Sequence, residues 1–295
     1  MSATANRHGI VVGVDGSPAA NAAAVWAARE AAMRNVPLTV VHAVKAIVPT
    51  YPGIPLPAGV GVWQEEQGRQ VLEQAAKIAG EAVRGDRVVD VTTELAFGAP
   101  VSALVGMSAE VEMVVVGGSG RGAVSRLLLG SVSSSVVHSA HCPVAVIRDE
   151  DPLMPHPMQA PVLVGLDGSP ASELAVAIAF DEASRRGVEL IALHAWSDVE
   201  VLDVAGLDWA AVKAEAERSL AEQLAGWQER YPDVTVHRLV ECDHPARQLI
   251  ERSESAQLVV VGSHGRAGVS GALLGSVSNA IVHSVRMPVI VARPA

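Results

Sequence analysis

Residues 12–19 read VGVDGSPA, and residues 164–171 read VGLDGSPA. A second pair of matching segments follows in the same order, with LGSVS at residues 129–133 and again at residues 274–278. Separate motifs that recur in one order and at similar spacing indicate an internal duplication. The sequence therefore predicts two copies of one domain, arranged head to tail.

Chain length and the position of the prolines set the limits of the two copies. The chain has 295 residues, whereas single hydrophobic cores seldom outgrow about 250 residues. Residues 149–157 are charged and rich in proline, which continues neither a strand nor a helix easily. We therefore predict a first domain at residues 1–148, a linker at residues 149–160 and a second domain at residues 161–295.

Each copy alternates β-branched apolar runs with alanine-rich amphipathic segments, which is typical of successive βα units on a parallel sheet. A hydrophobic content of 49% with only 3% aromatic residues suits strands buried on both faces. The predicted strands lie near residues 9–15, 37–44, 88–95, 112–117 and 143–147 in the first copy, and near residues 161–167, 188–195, 233–240, 257–262 and 288–292 in the second. The predicted helices of the first copy lie near residues 18–34, 63–84, 100–108 and 131–140. We therefore predict an α/β protein made of two tandem, doubly wound, five-stranded parallel-sheet domains.

Charge and cysteine content narrow the classes of function. The net charge of −10 argues against binding to nucleic acid or to acidic membranes, because both depend on a basic surface. No run of about 18 uncharged apolar residues could span a bilayer, and the apolar run at the N-terminus is too short for a signal peptide. Cys142 and Cys242 lack metal-ligand spacing and suit a reducing compartment. We therefore predict a cytoplasmic protein.

A glycine-rich loop follows the predicted fourth strand of each copy, at the edge where doubly wound sheets bind their ligands. Both loops have the pattern G-x2-G-x9-G-S, formed by Gly117, Gly120, Gly130 and Ser131 in the first copy and by Gly262, Gly265, Gly275 and Ser276 in the second. Glycine lets backbone amides approach an anion, and the N-terminus of the helix that follows attracts a phosphate. We expect Ser131 and Ser276 to cap that helix, and Arg121 and Arg266 to add positive charge. The pattern predicts a phosphate-binding loop in each copy, and the alternative is a tight turn that binds nothing.

These motifs resemble those of the universal stress proteins in their tandem two-domain form. The resemblance extends over nearly the whole chain, and its most specific element is the ATP-binding pattern G-x2-G-x9-G-[ST]. It implies a strand order of 3-2-1-4-5, ATP at the carboxyl edge of the sheet, with or without Mg²⁺, and a role in stress, dormancy or growth control. It also implies that the nucleotide is contacted by Asp15 and Asp167, by the backbone of Val41 and Leu193 at the adenine, and by the loop glycines and serines at the ribose and phosphates. From the residues alone, Asp15 and Asp167 can equally cap the helices that follow them.

The two copies differ in the residues around the expected sites. Residues 98–100 read GAP, as is common in the family, whereas residues 243–245 read DHP. Asp243 could repel a phosphate, or it could join Asp167 in holding a divalent metal ion. In the loops, Gly118-Ser119 of the first copy fits the family less closely than Ser263-His264 of the second. Equal filling of the two sites is therefore left open.

The sequence lacks the signatures of several enzyme classes. It contains no G-x4-G-K-[ST], G-x-S-x-G or H-E-x-x-H motif, and no nucleophile stands at a recognisable spacing from a base. His138 and His283 recur at one repeat position, and we interpret them as surface or packing residues of a helix. The leading hypothesis is an ATP-binding regulatory protein. The alternatives are a slow Mg²⁺-dependent ATPase or adenylate-transfer enzyme, and a scaffold with vestigial sites.

The last predicted strand of each copy gives an apolar edge to its sheet. Residues 144–147 read VAVI and residues 289–291 read VIV. Exposed strand edges invite pairing with another strand, and in the family that this chain resembles this edge is commonly the dimer contact. We therefore expect the two copies to pair with each other through these strands, and two chains to associate as a homodimer.

Overall fold

A computed structural model describes residues 8–45, 59–83, 88–120, 129–148, 159–195, 209–265 and 274–294. The chain divides into two units between residues 149 and 150. Most of the expected linker lies outside the described residues, so the domain limits given above stay a prediction. Within the described ranges, no helix combines the length and the apolar composition that crossing a membrane requires.

The first unit alternates strands with helices along the chain. Its elements are β1 (Ile10–Gly13), α1 (Pro18–Arg34), β2 (Leu38–Val44), α2 (Val60–Ala82), β3 (Val91–Phe97), α3 (Pro100–Met107), β4 (Met113–Gly117), α4 (Ser131–Ser139) and β5 (Val144–Ile147). The strands pair in parallel in the order β3-β2-β1-β4-β5. The predicted α/β fold and its strand order are confirmed for this unit.

The second unit repeats the same succession. Its elements are β6 (Val162–Gly165), α5 (Pro170–Arg186), β7 (Leu190–Ala195), α6 (Trp209–Arg230), β8 (Val236–Glu241), α7 (Pro245–Ser253), β9 (Leu258–Gly262), α8 (Ser276–Ser284) and β10 (Val289–Ala292). Its parallel pairs follow the order β8-β7-β6-β9-β10, which is the order of the first unit in the second unit's own strands. The duplication read from the sequence is therefore a duplication of topology.

The central strands form the core of each unit because their residues are apolar on both faces. The β4 residues MVVVG and the β9 residues LVVVG are all buried, as expected for parallel strands covered by helices on both sides. Helix α1 contributes fully buried alanines such as Ala23, Ala24 and Ala27. These small side chains let the helix axis lie close to the sheet. Valine-rich strands and alanine-rich helices thus account for the low aromatic content.

The first helix of each unit starts immediately beyond the first strand, which places its N-terminus at the carboxyl edge of the sheet. Ser17 caps α1 by accepting a hydrogen bond from the backbone N–H of Ala20 at 3.2 Å, and Pro18 occupies the first turn. Ser169 caps α5 in the same way. Serine at the cap followed by proline is a strong helix start. The predicted bounds of α1 are therefore reproduced.

The starts of three elements shift by three residues from the predicted bounds: α2 begins earlier, and the outer strand of each unit, β3 or β8, begins later. Strand β3 was expected from residue 88 and begins at Val91, where it first pairs with Leu38 of β2. Val88 itself is fully exposed. An outer strand has one neighbour and little burial, so hydrophobicity alone marks its start poorly.

Candidate functional site

A cavity of about 650 Å³ opens at the carboxyl edge of the first unit, between the ends of β1, β2 and β4 and the starts of α3 and α4. Small-molecule sites commonly have volumes of about 300–1,000 Å³. The predicted residues that line it are Asp15, Val41, Gly117, Gly120, Gly130 and Ser131. Arg121, also predicted for this site, lies outside the described residues. We call this cavity the first site.

Asp15 follows the end of β1, and its two carboxylate oxygens have different neighbours. Its Oδ1 accepts a hydrogen bond from the backbone N–H of Ser17 at 2.9 Å. On the other side, a Cβ placed on Gly120 would lie 2.8 Å from Oδ2. Asp15 therefore supports the start of α1 through the capping residue, while its second oxygen lies against the glycine loop. The alternative that Asp15 itself caps α1 is wrong, because the N-cap is Ser17. The hydrogen bond that Asp15 accepts from Ser17 through Oδ1 is compatible with a ligand-binding role.

The glycine loop of the first unit, residues 117–120, packs against the start of α1. A Cβ on Gly117 would lie 2.8 Å from the carbonyl carbon of Ala19 and 2.9 Å from the backbone nitrogen of Ala20. Real Cβ atoms do not approach backbone this closely, so glycine is required here by packing as well as by any ligand. The Gly117 carbonyl also accepts a hydrogen bond from the Ser133 hydroxyl at 2.5 Å.

The two halves of the G-x2-G-x9-G-S pattern meet at the start of α4. The backbone N–H of Gly130 donates to the Gly118 carbonyl at 2.8 Å. Gly130 has the extended torsions of an N-cap, φ −65° and ψ 153°, and no side-chain hydrogen bond to a described residue caps the helix. The expectation that Ser131 caps α4 is wrong, because Ser131 is the first residue inside the helix. Its hydroxyl and the N-terminal turn of α4 instead line the cavity, where a helix N-terminus favours an anion.

Val41 lines the cavity on the side formed by β2, and its backbone is hydrogen-bonded within the sheet. Its carbonyl accepts a hydrogen bond from the N–H of Val14 at 2.8 Å. In the second unit, the carbonyl of Leu193 accepts from the N–H of Leu166 at 3.1 Å. The two residues predicted to meet adenine thus hold equivalent positions, and each carbonyl has one lone pair left for a ligand.

The second unit brings its predicted residues together in the same way, and we call this arrangement the second site. Asp167 accepts a hydrogen bond from the N–H of Ser169 at 3.0 Å, and a Cβ on Gly265 would lie 2.5 Å from its Oδ2. A Cβ on Gly262 would lie 2.8 Å from the carbonyl carbon of Ala171. The loop therefore packs on α5 as its counterpart packs on α1.

The start of α8 repeats the start of α4. Gly275 donates its N–H to the Ser263 carbonyl at 2.8 Å, and the Ser278 hydroxyl donates to the Gly262 carbonyl at 2.5 Å. Gly275 is the N-cap and Ser276 is the first helical residue, so the expected cap by Ser276 is wrong for the same reason. Arg266 lies outside the described residues.

One histidine in each unit was missed from the sequence. His42 lines the first site, and its Nδ1 lies 2.7 Å from the Val14 carbonyl. His194 makes the same contact with the Leu166 carbonyl at 2.9 Å. Because a carbonyl only accepts, Nδ1 carries the proton in both rings. The histidine fixes the residue just before each aspartate, and its recurrence in VHA and LHA was the signal that could have identified it.

Asp243 is held by its own helix. Its Oδ1 accepts from the backbone N–H of His244 at 2.7 Å and its Oδ2 accepts from Nε2 of Gln248 at 2.8 Å. The hydrogen bond from Gln248, followed by that from His244, lowers the pKa of Asp243 below its usual value. Within the part of the chain that the structure describes, no group of three or more histidine, cysteine or acidic side chains is placed to hold a metal ion.

The recurring histidines on the fourth helix of each unit are bound to their own helices. Nδ1 of His138 lies 2.8 Å from the Ser134 carbonyl, and Nδ1 of His283 lies 2.8 Å from the Asn279 carbonyl. Both contacts join residues one turn apart. Their interpretation as surface or packing histidines is consistent with this geometry.

The universal stress protein family model matches residues 6–148 and, a second time, residues 158–293. The chain belongs to the universal stress protein family. It is similar to Universal stress protein Rv2005c of Mycobacterium tuberculosis, with 64% identity over 293 residues that cover 99% of each chain. Universal stress protein Rv2623 of the same species is 55% identical over 293 residues, again covering 99% of each chain.

The fold of this universal stress protein is also found among solved structures. A universal stress protein from Archaeoglobus fulgidus matches it with a TM-score of 0.71 and 20% identity, over 99% of this chain and 100% of that chain. At that identity the likeness concerns the fold. The family and the tandem form predicted from the sequence are both confirmed by the matches over its full length.

Proposed function

We propose that this universal stress protein is an ATP-binding regulatory protein, acting in stress, dormancy or growth control, with one nucleotide held at the glycine loop of each unit. One observation carries the proposal. A single cavity joins the Asp15 carboxylate, the loop glycines and the N-terminus of α4.

The two ends of the first site suit the two ends of a nucleotide. Toward α4, the N-terminal turn and the hydroxyl of Ser131 supply donors and positive potential for phosphates. Toward β2 and α3, the lining includes Val41, Ala43 and Leu104, which offer an apolar surface for a base. Asp15 lies at the end of β1, where its carboxylate can accept hydrogen bonds from ribose hydroxyls. Repetition of this framework in the second unit supports a second nucleotide.

A slow Mg²⁺-dependent ATPase or adenylate-transfer enzyme is the second candidate, and the carboxylate of Asp15 in the cavity wall favours it. Mg²⁺ commonly binds nucleotides through one or two carboxylates together with the phosphates. Asp15 and Asp167 would be the carboxylates that hold the ion. A scaffold with vestigial sites is the outcome in which neither site binds nucleotide.

The proposal is tested on the purified full-length chain. Denaturation should release an adenine nucleotide that mass spectrometry identifies, and titration of the nucleotide-free protein with ATP should give two sites per chain. Turnover with Mg²⁺ATP should stay well below about 1 s⁻¹, the low end for typical enzymes. Turnover near that rate would favour the enzyme, and no released nucleotide with no measurable affinity would favour the scaffold.

Two substitutions should each prevent nucleotide binding at one site without destabilising the fold. Ser131→Asp and Ser276→Asp place a negative charge at the first residue of α4 and α8, where a carboxylate stabilises the helix but repels a phosphate. Each should abolish one of the two sites, and together both. Ser219→Asp adds the same charge at an exposed position within α6 and should leave both affinities unchanged.

The assembly and location of the protein are further parts of the proposal. Pairing of the two copies through their last strands and association of two chains remain expectations from the sequence. A mass measurement in solution that gives only a monomer would remove the homodimer. The proposed site of action is the cytoplasm.

A further inference from the structure

The two glycine loops differ at their middle residues, which are Gly118 and Ser119 in the first unit and Ser263 and His264 in the second. Both loops have the same attachment, because the Ser17 hydroxyl donates to the Ser119 carbonyl and the Ser169 hydroxyl donates to the His264 carbonyl, each at 3.4 Å. Ser119 lines the first site. His264 therefore occupies, in the second site, the position of a cavity-lining residue.

The imidazole of His264 is held by its neighbour. Nδ1 lies 3.0 Å from the hydroxyl oxygen of Ser263, and Ser263 is only 1% exposed. A hydroxyl can donate or accept, so it can serve the neutral and the protonated ring alike. With Nδ1 engaged, Nε2 is the ring nitrogen through which a ligand would be bound. The first unit has Gly118 at the place of Ser263, where a Cβ would lie 3.1 Å from Cγ of Arg148.

We propose that His264 is a side-chain ligand for a phosphate group of the nucleotide in the second site, with Ser263 as its positioning residue, and that the second site therefore binds ATP more tightly as the imidazole becomes protonated. The first site has Ser119 at this position and therefore lacks this contribution to the pH dependence. This inference rests on the proposed function. It assigns the two sites different responses to pH, although their backbones are alike.

Charged and titratable groups stand at the carboxyl edge of the second unit on several elements, among them His194 in β7 and Asp243 and His244 after β8. Asp167 lies beside the loop at Gly265, and Glu173 is in the first turn of α5. The loop also joins the end of β10 through the bond from the Ser263 N–H to the Ala292 carbonyl, and Arg293 follows there. The first turn of α8 contains no acidic residue. Arg266, two positions further along the sequence, lies outside the described residues.

The predicted pH range follows from the chemistry of the ring. Imidazole is the side chain that ordinarily changes charge between about pH 5 and pH 8. A charge-assisted hydrogen bond to phosphate is stronger than a neutral one. The terminal phosphate of ATP also titrates near this range, but it does so for both sites, so the ratio between the sites isolates the contribution of the protein.

The experiment compares single-site chains by calorimetric titration with ATP at about pH 6 and about pH 8. The Ser131→Asp chain reports the second site and the Ser276→Asp chain reports the first. We expect acidification to increase the affinity of the second site about threefold to tenfold relative to the first. In the Ser131→Asp chain, His264→Ser or His264→Gln should remove this extra dependence while ATP still binds.

Two further variants test whether the Ser263 hydroxyl positions the His264 ring and whether the Ser-His pair alone confers the pH dependence. Ser263→Ala in the Ser131→Asp chain should reduce the pH dependence, because the ring of His264 then loses the hydroxyl that positions it. Gly118→Ser with Ser119→His in the Ser276→Asp chain should confer the dependence on the first site. Equal pH ratios at the two sites would overturn the inference while leaving ATP binding intact. An original chain that binds no ATP at either pH would overturn the proposed function and the inference together.

Discussion

The stretch before the third helix of each unit is where two otherwise matching regions differ in both backbone and charge. In the first unit Gly98 has a φ of +128°, and its N–H donates to the Val44 carbonyl at 3.0 Å. In the second unit Asp243 stands there and binds Gln248 and the N–H of His244. Glycine is favoured at the first position because other residues are strained at that φ.

The contacts that join each glycine loop to the first and fourth helices of its unit are the same in both units. A Cβ on Gly117 or on Gly262 would lie equally close to the backbone of the first helix of its unit, at 2.8 Å in both units. Ser133 and Ser278 make the same hydrogen bond to the loop, at 2.5 Å in both. Packing and hydrogen bonds thus give the glycine loops the same backbone arrangement in both units. The residues that differ around the loops can therefore give the two sites different affinities for a ligand.

The largest effect is expected from adding a methyl group to the shared framework. Gly117→Ala or Gly262→Ala forces the strand end away from the first turn of the helix, and overpacking of this kind typically costs about 1–3 kcal/mol. A urea unfolding curve should show the loss for each variant. Gly80→Ala is the matched control, because a Cβ there meets nothing within 4 Å. Unchanged stability of both variants would mean that the loops do not pack on α1 and α5 as described.

The second effect concerns the shared carboxylates. Asp15→Asn and Asp167→Asn keep an oxygen to accept the N–H of Ser17 or Ser169 but remove the charge. We expect each substitution to weaken ATP binding at its own site about tenfold, because a hydrogen bond to a charged group contributes about 1.5–3 kcal/mol. Titration calorimetry on the single-site chains measures this. If both affinities stay unchanged, the carboxylates serve the helix starts alone.

Much of the framework was predictable because it depends on local chemistry repeated twice. The recurrence of VGVDGSPA indicated the strand and the aspartate that follows it, and the spacing of the glycines indicated the loop at the carboxyl edge of the sheet. The sequence pointed to Asp15 as a possible cap of α1, whereas the structure has Ser17 there. The cap of α4 was not predictable. Both glycine and serine are common N-caps, and only the torsions of Gly130 decide between Gly130 and Ser131.

Other features depend on contacts between distant segments, which a single sequence does not reveal. The packing of Gly117 on Ala19 joins β4 to α1, and His42 reaches across to the Val14 carbonyl on the next strand. Glu30 is similar, since it is fully buried and paired with Arg34 at 2.5 Å. The sequence of an alanine-rich helix does not show that a charged residue in it is buried, because the burial depends on neighbours that only the tertiary structure reveals. These contacts come from tertiary structure, and the pattern along the chain marks only their residues.

The smallest effect is expected at the position where the two units differ, Asp243. Asp243→Asn should raise the ATP affinity of the second site by about a factor of two at low ionic strength, because surface charges interact weakly and are screened by salt. Calorimetry on the Ser131→Asp chain in low and high salt measures it. An affinity that falls, or that does not depend on salt, would show that Asp243 exerts no repulsion on the ligand.

The carboxylate of Asp243 should also contribute to the pH dependence of the stability of the folded chain. Its hydrogen bonds from Gln248 and His244 lower its pKa in the folded chain, below the unfolded value near 3.9. A lowered pKa contributes stability that is fully present above the unfolded pKa and is lost as the pH falls through the folded pKa. Asp243→Asn should therefore be slightly less stable than the unmodified chain near neutral pH, and the difference should disappear once the pH has fallen below the lowered pKa of Asp243 in the folded chain. Thermal unfolding curves across this range test it, and a difference that persists unchanged in acid would show that the carboxylate charge is not what holds the start of α7.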